Sequence, residues 1–282
     1  MKLAIGTVQF GLNYGINNQK GIPTDYEISS ILKHAKANGI NMLDSASAYG
    51  NAELKIGELS SDEFKIVSKF SNVIGENELI NQLKNTLDAL KQDTIYAYLA
   101  HNADDLINNP CLWQQLLLQK QKGYIGKIGF PLYKPEQLEV LLKLEMIPDI
   151  VQLPYSLLDR KFETYFENLK SLGVEVHVRS VFLQGLYFIE LNKLPVKLKS
   201  LSNELSQLNV ICLENNISIG SLSLNFVNNN PQIDKVVIGV DSLDHLINNL
   251  DFLNESKNIN DLTEKVKSIK IQSFEMLNPA NW

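Results

Sequence analysis

Cysteine is nearly absent from this sequence of 282 residues: Cys111 and Cys212 stand far apart, without a CxxC spacing. Two isolated thiols support neither a disulfide framework nor a zinc site, and a reducing cytoplasmic setting fits them. Also missing is any apolar run long enough to cross a bilayer. The opening stretch MKLAIGTVQFGLNYG carries one lysine and is broken by Gly6, Gly11 and Gly15, so it reads neither as a leader nor as a spanning helix. The 26 basic residues form no stripe and are outnumbered by 32 acidic ones, for a net charge of -6, which argues against nucleic acid as a partner. No paired histidine and carboxylate spacing suits a catalytic metal, so no metal site is expected. With 44% hydrophobic residues the chain can bury a substantial core, and no repeat, linker or low-complexity tract divides it. One domain over residues 1–282 is the expectation.

What is present is alternation. Short β-type runs occur at Leu3–Ile5, Asn41–Leu43, Lys65–Ser68, Tyr96–Ala100, Lys127–Phe130, Ile150–Leu153, Val174–Val178 and Val236–Ile238. Between them lie helical patterns such as Tyr26–Ala37, Glu78–Leu90, Leu112–Lys122, Pro135–Lys143, Ser156–Leu172 and Ile219–Asn228. Residues 191–205 and 251–282 exceed the minimal repeat and read as a loop with an added helix and a helical tail. A doubly wound sheet would want a glycine fingerprint between its first strand and helix, and GTVQFGLNYG lacks that spacing. Eight β/α units predict a (β/α)8 TIM barrel.

In such a barrel the C-terminal ends of the strands face the active site. Asp44, Lys69 and His101 fall at the ends of the second, third and fourth predicted strands, and Tyr49 follows Asp44 by five residues. Singly, each has a plain reading: a capping loop carboxylate, a solvated strand-end lysine, a turn aromatic before Gly50, a strand-end histidine bonded to backbone. Together they suit acid catalysis of carbonyl reduction, because hydride addition to carbon leaves an alkoxide that needs a proton. An ammonium beside a phenol lowers the phenol's pKa, and a carboxylate beyond it keeps the ammonium charged. Lys69 would thus tune Tyr49, Asp44 would hold Lys69, and His101 would orient the carbonyl or relay a proton.

The segments LDSASAYG, IVSKF and YLAHN carry this set and resemble blocks of the aldo-keto reductases. IGTVQFGLNYG, GKIGF, DIVQLPYSLLDR, VHVRSVFLQGL and NFVNNNPQIDKVVIGVDSLDHLINNL are similar too, in the same order. The resemblance implies a carbonyl oxidoreductase, monomeric, with NADPH or NADH bound extended across the barrel mouth and Asp44, Tyr49, Lys69 and His101 as catalytic residues. Gln152 matches the family's carboxamide-binding glutamine; Arg179 and Ser180 flank the same end; Gly239, Ser242 and Asn249 match the segment that cradles the adenosine phosphates, and Asn225 is assigned to the cofactor side. Helix N-termini suit phosphate, which supports binding around GVDSLDHL.

The sequence departs from the family in three places. Pro131 and Leu132 replace a Ser and Asn that help grip the carboxamide. Arg179 stands where many relatives have a tyrosine stacked on nicotinamide; a guanidinium also stacks, and its charge suits an anionic substrate. Asp241 falls where NADPH-preferring members carry a cation and would repel a 2′-phosphate, whereas the family as a whole favours NADPH and Lys235 or His245 could compensate, so NADH and NADPH both stay open. The expected substrate is a small carbonyl compound, sugar-like or otherwise polar given Gln9, Asn13, Asn102 and Arg179, although Phe10, Tyr14 and Phe182 suit an apolar pocket equally. Two further readings stand beside the reductase: a nicotinamide-binding regulatory or scaffold protein, and a redox-neutral barrel enzyme using Lys69 as base or Schiff-base amine.

Overall fold

The computed structural model describes residues 1–15, 18, 20–60, 64–255 and 259–282. Its eight strands are β1 (Leu3–Gly6), β2 (Met42–Asp44), β3 (Lys65–Phe70), β4 (Ile95–Ala100), β5 (Ile125–Pro131), β6 (Ile150–Pro154), β7 (Glu175–Arg179) and β8 (Lys235–Gly239). All pair in parallel with their sequence neighbours, and β1 closes on β8 with Leu3 opposite Val236 and Gly6 opposite Gly239. The barrel read from the alternation is therefore the observed fold, and each predicted strand lies where an observed one does.

Period-two alternation explains how these strands serve three purposes at once. On β3, Lys65, Val67 and Lys69 share a face; on β7, Glu175, His177 and Arg179 do. Midway along the barrel Ala4, Met42, Val67, Ala97, Leu99 and Ile150 form a compact apolar plug, separate from the larger cluster that joins strands to helices. Polar residues of the inward faces thus collect at the two rims, where the plug ends.

The helices start on side chains suited to the task. Thr24 accepts from the Glu27 amide at 3.3 Å to open helix Asp25–Ala37, and Ser218 accepts from Ser221 at 3.1 Å to open Ile219–Asn228. The helix expected over Ser156–Leu172 is shorter: Glu163–Tyr165 forms a 3₁₀ turn and only Phe166–Ser171 is α-helical. Ahead of it the Ser156 amide donates to the Asp159 carbonyl at 3.0 Å, a bond opposite in direction to a helix ladder, while Ser156 Oγ takes the Asp159 amide at 3.1 Å and the Tyr187 hydroxyl the Leu158 amide at 3.2 Å. The segment 191–205 holds 3₁₀ turns Leu191–Lys193 and Val196–Leu201 and the start of helix Ser202–Asn215. The tail runs through helix Asn260–Lys267 to two 3₁₀ turns; residues 256–258 of it lie outside the described residues. Among the described residues no single helix is long and apolar enough to cross a membrane.

The N-terminal rim is closed by charge. Lys127 pairs with Glu175, the Tyr96 hydroxyl donates to both Glu175 oxygens at 3.0 Å, and His177 Nε2 lies 3.2 Å from Glu175 Oε2. Burial pushes the Glu175 carboxyl up, but hydrogen bonds from His177, Lys127 and Tyr96, with the Lys127 charge, outweigh it and hold the pKa at about 2. A carboxyl lowered from 4.5 adds stability above pH 4.5 that disappears as pH falls through about 2. Glu175→Gln should therefore lower stability at pH 7 by about 1–2 kcal/mol after solvent screening. Urea unfolding across the acid range should show the gap closing toward pH 2; a gap independent of pH would contradict this account.

Candidate active site

At the opposite rim Asp44 closes β2 and Lys69 is the penultimate residue of β3, on neighbouring strands whose register sets Asp44 opposite Val67. Lys69 is 2% exposed and Asp44 5%. The ammonium donates to Asp44 Oδ2 at 2.8 Å and to the Ser45 carbonyl at 2.9 Å, and Gln152 Nε2, from β6, donates to Asp44 Oδ1 at 2.7 Å. Both carboxylate oxygens are thereby satisfied, which is the condition for keeping a buried ion pair. Burial pulls the Lys69 pKa down, but Asp44, together with Tyr49, outweighs it and leaves the ammonium above its ordinary value of 10.5.

Tyr49 is carried by the loop after β2. Gly11 and Gly50 let that loop lie against the β1 loop: a Cβ at Gly11 would collide with the Tyr49 carbonyl oxygen, and Gly50 has φ +59°. Lys69 Nζ sits 5.5 Å from the Tyr49 ring centre, and His101, the first residue beyond β4, meets that ring edge-on with centroids 5.8 Å apart. The three strand-end residues and the loop residue Tyr49 are thus brought together. The tuning differs from expectation in its balance. Lys69 is the largest influence on Tyr49 and lowers its pKa, but burial and the Asp44 charge outweigh it, so the phenol lies above its ordinary range. His101 is lowered, by burial first and then by Lys69, which keeps its imidazole neutral at pH 7.

The tetrad opens into a cavity of about 660 Å³ that runs over the barrel mouth. Around the tetrad Gln152, Arg179, Ser180, Tyr14 and Phe182 line it; farther along Gly239, Asp241, His245, Asn249 and Phe252 do, with the Gln9 amide against Gly239. Tyr133, Gln184 and Phe188 also line it and were missed; all three lie on strand-to-helix loops, where periodicity gives no signal. Other expectations need correction. Phe10 is fully buried core, and neither Asn13 nor Asn102 lines the cavity; Asn102 instead caps helix Ala103–Asn108. Asn225 does not line it either, because its amide is spent on the Ser221 and Phe252 carbonyls at 3.1 and 2.8 Å.

The far end also departs from the anion-binding picture. Ser242 is 3% exposed and caps helix Leu243–Asn254 by accepting from the His245 amide, while Glu27 Oε1 takes the Leu243 amide at 2.7 Å. Two of the amides that a phosphate would use are occupied, one of them by a carboxylate. Lys235 is the first residue of β8, at the other rim, bonded to the Met1 carbonyl and Asn41. His245 Nδ1 lies 2.6 Å from Asp241 Oδ1. Gln9 Oε1 and His101 Nδ1 are buried in the cavity wall without a hydrogen-bond partner, so a polar ligand fits there better than an apolar one.

Removing the buried cation should expose the cost of the site. Lys69→Met leaves Asp44 charged and buried, and should lower stability by roughly 3–5 kcal/mol at pH 7. Because the Lys69 pKa is raised, its contribution is complete below pH 10.5 and is lost as pH rises through the native value. The melting-temperature gap between the wild type and Lys69→Met should then narrow above that pH; a surface-like loss below about 1 kcal/mol would contradict the pairing.

The barrel has counterparts among solved structures. The holo form of an aldo-keto reductase from Bacillus halodurans superposes with a TM-score of 0.77 at 20% identity, covering 96% of this chain and 93% of that one. Its apo form gives 0.72 at 22%, covering 88% of each. A thermostable aldo-keto reductase in complex with the inhibitor epalrestat gives 0.68 at 22%, covering 94% and 95%. Among curated proteins none matches the sequence. The model of the aldo/keto reductase family matches residues 2–270, so this chain belongs to that family of carbonyl oxidoreductases.

Proposed function

We propose that the protein reduces an aldehyde or ketone to an alcohol at the expense of a nicotinamide cofactor, with Tyr49 as proton donor and NADH preferred. The observation that carries this reading is the buried Asp44–Lys69 pair set beneath Tyr49 and beside His101, at one end of an elongated cavity. When bound, the cofactor would supply the hydride; Gln152 and Ser180 would hold its nicotinamide end, and Gly239, Asp241 and Asn249 the other, with Ser242 acting through its helix cap. As negative charge builds on the substrate oxygen, the Tyr49 hydroxyl gives up its proton, and the Lys69 ammonium stabilises the phenolate left behind. The raised phenol pKa serves this direction, since the proton is in place at neutral pH. Neutral His101 orients the carbonyl oxygen.

Two further arguments narrow the reading. A Schiff-base or general-base role for Lys69 requires a neutral amine, whereas the amine here is paired and its pKa is raised. Among the described residues lining the far end of the cavity there is no Lys or Arg, while Asp241 lines it and Glu27 sits at the helix start. That balance disfavours a 2′-phosphate and suits a ribose hydroxyl, hence NADH.

Nucleotide titration followed by fluorescence, combined with cofactor oxidation over an aldehyde panel, tests the reading. NADH should bind at least tenfold more tightly than NADPH, and Tyr49→Phe should cut kcat by roughly a hundredfold to ten-thousandfold while NADH affinity stays within about twofold. Absence of saturable binding by either nucleotide would contradict it.

A further inference from the structure

Arg160 and Arg179 are the only arginines among 26 basic residues, and their surroundings differ. Arg160 spends its donors on the Leu157, Lys267 and Ile269 carbonyls. Arg179, at the C-terminal end of β7, is half-buried and lines the cavity beside the tetrad. Its guanidinium lies over the Tyr133 ring at 4.4 Å, and it donates to the Leu132 carbonyl at 3.3 Å and to Ser180 Oγ at 3.4 Å. Those two long bonds to neutral acceptors leave most of its five N–H groups for another partner. Every ion pair among the described residues is made by a lysine or a histidine, so no carboxylate lies within ion-pair distance of this cation; Asp159, the carboxylate that feels its charge, is paired with Lys161. Lys69, the other cation of the cavity, is already committed to Asp44.

The backbone that carries Arg179 is held under strain. Ser180, Leu183 and Gln184 have φ of 63°, 44° and 53°, and Gln184 Nε2 fastens the loop to the Tyr14 hydroxyl at 2.9 Å. Such conformations cost roughly 1–3 kcal/mol each and cluster at ligand clamps. The Arg179 charge reaches Tyr49, His101 and Tyr14, so the cation stands within range of the reacting centre. One face of the guanidinium is covered by Tyr133; its edge and other face are what a ligand can meet.

We infer that Arg179 binds an anionic group of the substrate, so that this reductase acts on carbonyl compounds bearing a carboxylate or phosphate. A guanidinium fork matches both groups in two-point fashion, which a lysine would not. The carbonyl would then be presented to Tyr49 and His101 while the anion is held a few atoms away. The inference rests on the reductase reading above.

The test compares matched pairs: succinic semialdehyde with butanal, 4-carboxybenzaldehyde with benzaldehyde, and glyceraldehyde 3-phosphate with glyceraldehyde. The wild type should favour the anionic member of at least one pair by tenfold or more in kcat/KM, mostly through KM. The carboxylate and phosphate pairs tell the two sources apart. Arg179→Met should reduce that ratio at least tenfold, and Arg179→Lys should keep part of it. Malonate, which cannot be reduced, should bind the wild-type protein in calorimetric titration and lose that binding in Arg179→Met. Ratios near one in the wild type, a ratio or a malonate affinity unchanged by Arg179→Met, or a loss in that variant wholly explained by weaker NADH binding would each overturn the inference. If none of the carbonyls supports NADH oxidation by the wild type, the reductase reading fails, and the malonate titration still decides whether Arg179 is an anion site.

Discussion

A lysine ammonium sealed inside a barrel is the constraint on which the remaining chemistry depends. Burial alone would strip Lys69 of its proton or unfold the chain around it. Asp44 prevents both, and Gln152 and the Ser45 carbonyl take up the hydrogen-bonding capacity that the pair leaves over. The arrangement ties β2, β3 and β6 together at the mouth of the barrel. It also means that the charge next to Tyr49 is fixed, so the phenol answers to three opposed effects: an ammonium that favours phenolate, and burial and a carboxylate that oppose it. In this structure the latter two prevail and the proton stays on tyrosine. Carbonyl reduction needs that state at the start of the step, and the ammonium becomes useful as the proton leaves.

The same alternation that buries the apolar plug sorts charge between the rims. At the start of β7, Glu175 gathers Lys127, Tyr96 and His177 into a network of internal bonds; at its end, Arg179 faces open cavity. The carboxylate of one rim is spent on stability, and the other rim retains unspent polarity for a ligand. Within the cavity a second division runs lengthwise. With Lys69 balanced by Asp44, Arg179 makes the tetrad end cationic, whereas Asp241 lines the far end and Glu27 sits at the helix start beside it.

Much of this was legible in the sequence because strand ends are legible. Asp44, Lys69 and His101 each follow a β-type run, and a parallel barrel sends every such end to the same rim. Tyr49 needed the motif around it, since a loop residue has no periodicity to place it. Lys235 shows the same rule misapplied: as the first residue of β8 it belongs to the opposite rim, a fact already implicit in its position. Ser242 and Asn225 illustrate a different difficulty. Polar residues at helix starts and between helices satisfy backbone groups as readily as ligands, and only the coordinates reveal which partner has taken them. Tyr133, Gln184 and Phe188 were out of reach for a third reason, because loop conformation decides which of their side chains line the cavity.

Deuterium transfer tests the central claim most directly. Wild-type protein, NADH deuterated at C4 and an aldehyde that is turned over should give an alcohol carrying deuterium on the former carbonyl carbon, with one face of the nicotinamide used. Alcohol formed with solvent-derived hydrogen on that carbon, or no transfer with any carbonyl tested, would contradict the account of Asp44, Lys69, Tyr49 and His101 as the site that gives the substrate oxygen its proton while hydride passes from nucleotide to carbon.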